Sequence, residues 1–319
     1  MNKFCHLSLH SEYSINDGLV SMDDLAQKTS ELGYESVAIT DNSNLFGFVN
    51  FYQTMRENGI KPICGSEMTL EGENSKGQLT LLARNLEGYR NLMKLISFAN
   101  TNGKRKKECL ISLEILKENK DGLIMFSGGL ESQIAHSVLA DKFDLAEKQA
   151  RFFKDIFQEN FFLEITRVGF DNEKKCNDSL IEISKSSDIP LIASNRVRFL
   201  NQNEFESHET RVSIQSGYVL SDPRRKRDYK EDQYLKSFEE MQELFEDIPE
   251  AIDNAFEVSK MCNLEIKTGI YVLPDFETPD ELKESEYLRK LSEKGILEKT
   301  KFNYLEELPS EYLERFNYC

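Results

Sequence analysis

Residues 6–18 read His6-Leu7-Ser8-Leu9-His10-Ser11-Glu12-Tyr13-Ser14-Ile15-Asn16-Asp17-Gly18, a short apolar run that leads into a polar loop. Residues 38–47 repeat this plan as Ala38-Ile39-Thr40-Asp41-Asn42-Ser43-Asn44-Leu45-Phe46-Gly47. Each loop precedes a stretch with helical spacing, and α/β proteins place their binding groups in loops of this kind. The two stretches therefore predict an α/β fold with a functional site at the strand ends.

Apolar runs and helical stretches alternate along most of the chain. The runs predict strands at residues 4–9, 36–40, 60–70, 78–83, 122–126, 160–165 and 190–194. The stretches predict helices at residues 22–32, 44–57, 86–100, 141–157, 172–187, 204–215, 238–245 and 249–262. This rhythm favours parallel strands with helices outside, apart from a hairpin connection at residues 71–77. The spacing of Phe46, Val49, Phe51 and Tyr52 indicates a buried helix face.

The composition is typical of a globular protein of the cytoplasm. Hydrophobic residues make up 39% of the chain, and no run approaches the roughly 20 apolar residues of a membrane span. The cysteines are scattered without C-x-x-C spacing, which predicts free thiols in a reducing compartment: Cys5, Cys64, Cys109, Cys176, Cys262 and Cys319. A net charge of −16 repels nucleic-acid phosphates, so any DNA contact should be local.

Two basic clusters interrupt this acidic chain. For Lys104-Arg105-Lys106-Lys107 both a solvated loop and a phosphate contact remain open. Arg224-Arg225-Lys226-Arg227 is the densest positive patch, and the sequence indicates no partner for it.

Two histidines lie in the opening stretch. Alternate side chains of a strand share one face, so His6, Ser8 and His10 are expected to point the same way. Histidines on one face suit zinc or manganese, but here the spacing is H-x-x-x-H with a serine between. On this motif alone, a metal site and two satisfied polar side chains at a strand end are both open.

Further motifs follow in order along the chain. They are Gly59-Ile60-Lys61-Pro62-Ile63 with Gly65-x-Glu67, Ser127-Gly128-Gly129, Phe161-Phe162-Leu163-Glu164, His208-Glu209, Ser221-Asp222-Pro223, Asp247-Ile248-Pro249-Glu250-Ala251 and Leu273-Pro274-x-Phe276. With the two opening stretches, this series resembles the N-terminal polymerase-and-histidinol-phosphatase (PHP) domain of bacterial replicative DNA polymerase III alpha subunits, of the proteobacterial type. The resemblance covers essentially the whole chain.

The resemblance implies a domain organisation. Residues 1–272 would form the PHP domain, a distorted (β/α)7 barrel with added helices, and residues 273–319 a connector and the truncated start of the polymerase palm. Helices are expected at residues 281–299 and 310–319 of this tail, which should be partly disordered or poorly packed. The chain stops in the last of them at Cys319, which suggests a truncation.

The resemblance also implies where metal ligands would lie. In family members with an intact site, histidines, carboxylates and a cysteine hold a metal cluster at the strand ends. Carried over to this sequence, that pattern retains His10, Asp17 and Glu67. The other positions are substituted: Ser8, Asn42, Gln78 and Arg198 stand in place of histidine, Gly129 in place of cysteine and Arg196 in place of aspartate.

These substitutions have a chemical meaning of their own. A hydrolytic cluster needs several deprotonated ligands to hold cations and lower the pKa of a bound water. Serine, asparagine and glutamine are weak ligands, and arginine keeps its proton. The Arg196 and Arg198 guanidinium groups can instead pair with Asp17, Asp41 or Glu67. The other two histidines, His136 and His208, fall on predicted helices, so the sequence predicts no metal and no catalytic residue in this segment.

Three functions remain open at this point. The first, implied by the resemblance, is a degenerate PHP domain that stabilises the alpha subunit and docks the 3'-5' proofreading exonuclease subunit. The whole protein would then be a Mg-dependent DNA polymerase that contacts other holoenzyme subunits, with DNA bound mainly beyond residue 319, and no membrane partner is expected. The second is an active metal-dependent phosphoesterase or exonuclease of the PHP superfamily. The third is a free-standing fragment with a folding or interaction role.

Overall fold

An eight-stranded mixed sheet lies at the centre of the fold. The structure is a computed structural model that describes residues 3–72, 76–105, 108–269, 276–279 and 282–318. The strands, in chain order from β1 to β8, are Ser36–Ile39, Lys61–Glu71, Lys76–Ala83, Lys104–Arg105, Glu108–Ile111, Leu123–Phe126, Phe161–Thr166 and Leu191–Ser194. Their order in the sheet is β4-β5-β2-β3-β6-β7-β8, and β1 pairs with the first half of β2.

The sheet is not parallel throughout. β1 with β2, β2 with β5, β6 with β7 and β7 with β8 are parallel, as the alternation of strands and helices predicts. β3 runs antiparallel to both β2 and β6. The hairpin predicted between β2 and β3 is confirmed, although its residues 73–75 lie outside the described part of the chain. The antiparallel pairing of β2 with β3 follows from that hairpin, whereas the expectation of parallel strands fails between β3 and β6, because the hairpin reverses β3 relative to the strands on both of its sides.

Residues 6–10 lie between β1 and the residues that follow β8. Ala38 donates a backbone hydrogen bond to the carbonyl of His6, and Val197, just after β8, donates one to the carbonyl of Ser8. Within 4–9, only Leu9 forms a β-bridge, with Val197, so the strand predicted there is an extended segment with interrupted pairing. The segment nevertheless closes the sheet toward the predicted (β/α)7 barrel.

Twelve helices flank the sheet or follow it within the described residues. From α1 to α12 they are Met22–Glu31, Phe48–Glu57, Leu86–Thr101, Leu113–Glu118, Gln133–Leu139, Phe143–Phe157, Glu173–Ser187, Phe205–Ser216, Phe238–Leu244, Pro249–Met261, Glu284–Thr300 and Ser310–Tyr318. The eight helices predicted before residue 263 are present, whereas α4 and α5 were not predicted. None of the described helices is long and apolar enough to cross a membrane.

Helix α2 shows where the predicted core is wrong. Phe51 and Tyr52 are buried as expected, but Phe46 is 70% exposed and Val49 is 47% exposed. The helix begins at Phe48 rather than at residue 44, because residues before it form a loop in which the Asn44 side chain accepts a hydrogen bond from the Phe46 amide. Phe46 therefore lies outside the helical face that packs on the sheet.

The chain divides into two compact units, Met1–Ile266 and Lys267–Cys319. The boundary predicted between residues 272 and 273 lies outside the described residues. In the second unit the two helices predicted in the tail are present as α11 and α12, and neither has a buried side chain among those described. In the first basic cluster, Lys104 and Arg105 form β4 rather than a loop, and residues 106–107 are not among those described.

Candidate functional site

The polar loop after residue 10 brings His10 and Asp17 together. His10 Nδ1 lies 3.0 Å from both carboxylate oxygens of Asp17. Neighbouring side chains fix Asp17 from outside the loop: the Tyr229 hydroxyl donates to its carboxylate at 3.1 Å, and His208 Nε2 lies 2.9 Å from its backbone carbonyl. Both His10 and Asp17 are buried, so the loop presents a preformed histidine–carboxylate pair to the barrel interior.

Glu67 adds a second carboxylate from β2. Its carboxylate oxygen lies 3.3 Å from His10 Nε2, so the imidazole bridges Asp17 and Glu67. A β-bridge between Asn42 and Glu67 aligns the strand with the second polar loop. Among the three retained positions of the predicted ligand set, His10 therefore contacts both Asp17 and Glu67.

The arginines after β8 complete the group. Arg196 Nη2 lies 2.8 Å from the Glu67 carboxylate. Arg198 reaches Asp17 at 3.3 Å through Nε and Glu67 at 3.5 Å through Nη2. We refer to His10, Asp17, Glu67, Arg196 and Arg198 as the carboxylate–arginine cluster. Both arginines are less than a tenth exposed, at 9% and 3%, so their charges are balanced inside the protein rather than by water.

The charges in the cluster shift the pKa values of its members. Burial alone would raise the pKa of Glu67, but the charges of Arg196 and His10 outweigh it and hold the value well below the ordinary range. The pKa of Asp17 is lowered in the same way, with His10 and Arg198 overcoming burial. For His10, burial and Arg198 act to lower the pKa, yet Asp17 and Glu67 raise it overall. The cluster is thus a network of ionised groups that stabilise one another.

Gly129 and Arg196 fit each other sterically. A Cβ atom at Gly129 would lie 2.9 Å from Arg196 Nη1, and the residue has a φ of +58°. Arg196 cannot move away freely, because Nη1 donates to the carbonyl of Gly128 at 2.9 Å and Nη2 to Gln78 Oε1 at 2.8 Å. The guanidinium therefore occupies the space that a cysteine side chain at position 129 would need.

The remaining substituted positions are spread around the cluster. Gln78 contacts it through Arg196. Ser8 is buried, and its hydroxyl has no hydrogen-bond partner among the described residues. Asn42 is exposed and accepts a hydrogen bond from the Ser43 hydroxyl. Asn42 meets the cluster through its backbone, by the β-bridge with Glu67.

Two residues singled out from the sequence lie elsewhere. His6 Nε2 lies 2.9 Å from the carbonyl of Lys236, and its ring packs edge-on against Phe4 and Tyr34. Burial lowers its pKa to about 4, so it is a neutral core histidine that does not share the contacts of His10. Asp41, a possible partner of the arginines, instead accepts hydrogen bonds from Ser11 and Ser14.

The residues present do not fit the metal cluster that the family resemblance implies. Guanidinium groups lie within 2.8–3.5 Å of the Asp17 and Glu67 oxygens that would face a cation. Across the described residues, no group of three or more histidine, cysteine, aspartate or glutamate side chains is arranged to hold a metal ion. A divalent cation would add positive charge where arginine already balances the carboxylates.

A cavity of about 350 Å³ opens beside the cluster and reveals residues that sequence reasoning missed. Tyr229 and Gln233 line it, and the Gln233 amide donates to the carbonyl of Arg196. Glu164 on β7 is fully buried close to Arg196, and its carboxylate oxygens have no hydrogen-bond partner among the described residues; burial raises its pKa. Strand alternation could have placed Glu164 on the inner face, but no local signal marks Tyr229 or Gln233.

Comparison with known proteins identifies the class of domain. A PHP domain family profile matches residues 6–168, the part of the chain that holds His10, Asp17, Glu67 and Gly129. The chain belongs to the PHP domain family.

Relatives extend this similarity beyond the matched residues. The chain is 41% identical to the DNA polymerase III subunit alpha of Pseudomonas aeruginosa, over 99% of this chain and 28% of that protein. It is 38% identical to the DNA polymerase III subunit alpha of Escherichia coli K12, over 96% of this chain and 26% of that protein. The chain therefore spans about a quarter of the length of these relatives.

Among solved structures, the chain is similar to a two-domain protein from Bacteroides vulgatus that contains a predicted PHP-like metal-dependent phosphoesterase. The sequence identity is 13% and the TM-score is 0.41, with 79% of this chain and 62% of that chain covered.

Proposed function

We propose that this barrel is a PHP domain that has lost phosphoesterase chemistry and serves as a structural and docking module of a DNA polymerase III alpha subunit. The observation that carries the proposal is the 2.8 Å contact between Arg196 and Glu67 in the buried carboxylate–arginine cluster. A carboxylate engaged by a permanent cation is a poor ligand for a metal ion. Arg196 and Arg198 supply the positive charge that metal ions would otherwise supply.

The side chains around the cluster that could act as metal ligands support the same conclusion. Hydrolysis by a PHP site would need a water whose pKa is lowered by a bound cation. Gln78 accepts a hydrogen bond from Arg196, and Asn42 lies at the surface. Gly129 offers no donor atom, and its φ and contacts disfavour any side chain. The retained His10 pairs with Asp17 and Glu67, and these two carboxylates also pair with Arg198 and Arg196.

Metal content and binding test this proposal first. Elemental analysis of the purified chain, followed by calorimetric titration with Zn²⁺ and Mn²⁺, is expected to show no stoichiometric binding at micromolar metal. A generic phosphate ester should not be hydrolysed, and His10→Ala serves as the matched control for any trace activity. Tight stoichiometric binding, or hydrolysis that His10→Ala abolishes, would favour the active metallo-phosphoesterase instead.

The polymerase role is proposed for the longer protein of which this chain would form the N-terminal part. Similarity to alpha subunits over 99% of the chain supports it. In that protein, palm aspartates beyond Cys319 would bind Mg²⁺ and catalyse nucleotide addition by two-metal phosphoryl transfer. Sequencing the gene past the Cys319 codon is expected to show an open reading frame that continues into a palm region. An immediate stop codon would favour the free-standing fragment.

Docking of a proofreading exonuclease subunit is the second part of the proposed role. If the barrel does not hydrolyse phosphodiesters, as proposed, proofreading must come from another chain, and docking on the barrel would hold that chain close to the polymerase. The cognate 3'-5' exonuclease subunit should be retained by the immobilised full chain in a pull-down. Failure to retain it would count against docking, while the absence of metal chemistry would be judged separately by the titration.

A further inference from the structure

A second cavity, of about 450 Å³, shares Gln78 and Glu131 with the cavity beside the carboxylate–arginine cluster. Its volume is within the range of ligand sites in proteins. Its wall includes Asn42 and Gln78, two of the positions at which the family resemblance implies histidine. An amide side chain is a weak metal ligand, but it both donates and accepts hydrogen bonds. These two substitutions therefore favour a ligand that is bound through hydrogen bonds.

The wall of this cavity, which we call the amide cavity, is mostly uncharged. Amide and hydroxyl side chains line much of it, and with histidine counted as neutral its charged side chains are Lys76, Glu108 and Glu131. Lys76 forms an ion pair with Glu108, so the wall has one acidic group in excess. This excess, in a chain with a net charge of −16, disfavours the binding of phosphate groups. A neutral polar ligand fits the wall better.

Two asparagine side chains at the amide cavity have groups available for a ligand. Asn44 and Asn100 use their amides inside the protein, since Asn44 donates to the carbonyl of Asn42 and Asn100 donates to that of Ser43. The Asn42 oxygen accepts a hydrogen bond from the Ser43 hydroxyl, and its NH2 group has no partner among the described residues. Asn16 is exposed, and its side chain forms no hydrogen bond within the described part of the chain. A free asparagine amide can donate to and accept from the edge of an adenine base at the same time.

Two apolar side chains lie at the mouth of the amide cavity. Phe46 and Ile15 both line it, and they are 70% and 60% exposed. The Asn44 side chain accepts a hydrogen bond from the Phe46 amide at 3.1 Å, which fixes the loop that keeps the Phe46 ring outside the core. An exposed aromatic ring is a surface on which a nucleobase can stack. Phe46 therefore adds a flat apolar surface to a wall of hydrogen-bonding groups.

The backbone around the mouth is strained and held in place. Ile15 has a φ of +60° and Ser43 a φ of +50°, in a region that residues other than glycine rarely adopt. The Ile15 carbonyl accepts a hydrogen bond from Arg211 at 2.9 Å, and the Ser43 amide donates to the carbonyl of Glu67 at 2.8 Å. Strained residues of this kind cluster at ligand-binding sites. The cavity is thus shaped before a ligand arrives, which lowers the entropic cost of binding.

We propose that the amide cavity binds an adenine base, either of a free nucleoside or of an unpaired nucleic-acid strand. The base stacks on Phe46, and its edge forms hydrogen bonds with Asn16. Ile15 contacts the opposite face of the base, and the Asn42 NH2 group donates a further hydrogen bond. The inference goes beyond the function proposed above, because it requires neither the loss of metal chemistry nor a docked subunit.

Isothermal titration calorimetry of the full chain with adenosine tests this site. We expect one site per chain with a dissociation constant on the order of 0.1 mM, as for a well-bound ligand of this size. Phe46→Ala should weaken binding about tenfold, because it removes the stacking surface. Purine riboside, which lacks the amino group of adenine, should bind the wild type about fivefold more weakly. Asn16→Ala should remove this difference between the two nucleosides.

Matched controls lie near the cavity and far from it. Val49→Ala removes an apolar side chain of α2 that is 47% exposed, and Asn203→Ala removes an exposed amide elsewhere in the first unit. Neither residue lines the cavity, so both variants should bind adenosine as the wild type does. Phe46 and Asn16 are also exposed, so all four variants should keep the wild-type unfolding midpoint, which circular dichroism checks.

The outcomes decide between the proposal and its competitors. Absence of binding at about 5 mM adenosine would overturn it, and so would binding that Phe46→Ala and Asn16→Ala leave unchanged. Equal weakening by Val49→Ala would show a general effect on α2 and would also overturn it. Binding of maltose that depends on Phe46, without binding of adenosine, would identify a carbohydrate site instead.

A comparison of two adenine ligands identifies the source of the base. Tighter binding of an oligodeoxyadenylate than of deoxyadenosine would assign the base to an unpaired strand. Equal binding of the two would assign it to a free nucleoside. Both results support the proposal, whereas failure of both ligands to bind would contradict it.

Discussion

Replacement of Arg196 by methionine should destabilise the first unit by about 3–5 kcal/mol, the usual cost of removing one partner from a buried ion pair. Methionine keeps much of the side-chain volume but leaves Glu67 without its 2.8 Å partner. It also removes the donors to the Gly128 carbonyl and to Gln78. Glu67 retains His10 at 3.3 Å and Arg198 at 3.5 Å, so we expect a value near the lower end of that range.

A double-mutant cycle isolates the Arg196–Glu67 interaction. Glu67→Gln alone removes the carboxylate charge and leaves two guanidinium groups buried with less compensation. In the double variant neither charge is left without its partner, so the loss should be smaller than the sum of the single losses by about 1–3 kcal/mol. A coupling of this sign would show that Arg196 and Glu67 stabilise each other inside the protein.

Urea unfolding followed by far-UV circular dichroism is the suitable assay, since the chain contains no tryptophan. Arg151→Met provides the control, because Arg151 is half-exposed and pairs with Glu147 one helical turn away. Its cost should be below about 0.5 kcal/mol. If Arg196→Met costs no more than Arg151→Met, or if the two cluster substitutions are additive, the cluster does not stabilise the barrel as argued.

Three further predictions concern pH, sterics and dynamics. Neighbouring cations outweigh burial and lower the pKa values of Asp17 and Glu67 in the folded protein. These two carboxylates should therefore stabilise the fold fully above about pH 5, and this stabilisation should be lost as pH falls through their lowered pKa values. Burial and Arg198 lower the pKa of His10, but Asp17 and Glu67 raise it overall. Protonated His10 should therefore stabilise the fold fully below about pH 6, and this stabilisation should be lost as pH rises through its raised pKa. A free energy of unfolding that stays constant from about pH 3 to 9 would contradict the predictions for the carboxylates and for His10. Gly129→Ala should lower the free energy of unfolding by about 1–2 kcal/mol, because the residue has a positive φ and its Cβ would meet Arg196. Gly59→Ala should cost less, since Gly59 has a φ of +72° but open space around its Cβ. Thermal melts should show this difference in the wild-type background and not in the Arg196→Met background. Amides of α11 and α12 should exchange faster than those of β2, because no described side chain of these helices is buried; equally slow exchange would refute poor packing of the tail.

The family resemblance implied that His10, Asp17 and Glu67 belong to one site, and side-chain chemistry indicated that Arg196 and Arg198 could pair with carboxylates. In the structure His10 contacts both carboxylates, and the two arginines pair with them. The partner of each arginine was not predictable from the sequence, since Asp41 was an equal candidate. In the structure the Asp41 carboxylate accepts hydrogen bonds from the hydroxyls of Ser11 and Ser14 instead. Tyr229 comes to Asp17 from a distant loop without any local pattern.

The sequence by itself determined the α/β class, the order of most strands and helices, and the residue types at the cluster. These properties follow from periodicity, capping and side-chain chemistry, which act over a few residues. The tertiary structure decided that β3 runs antiparallel to β6, that Phe46 faces solvent, and that a Cβ atom at Gly129 would clash with Arg196. It also decided that α8 buries His208 and Glu209 while its Ile214 is exposed. Each of these depends on contacts between segments far apart in the chain, and such contacts override local preference when the core is packed.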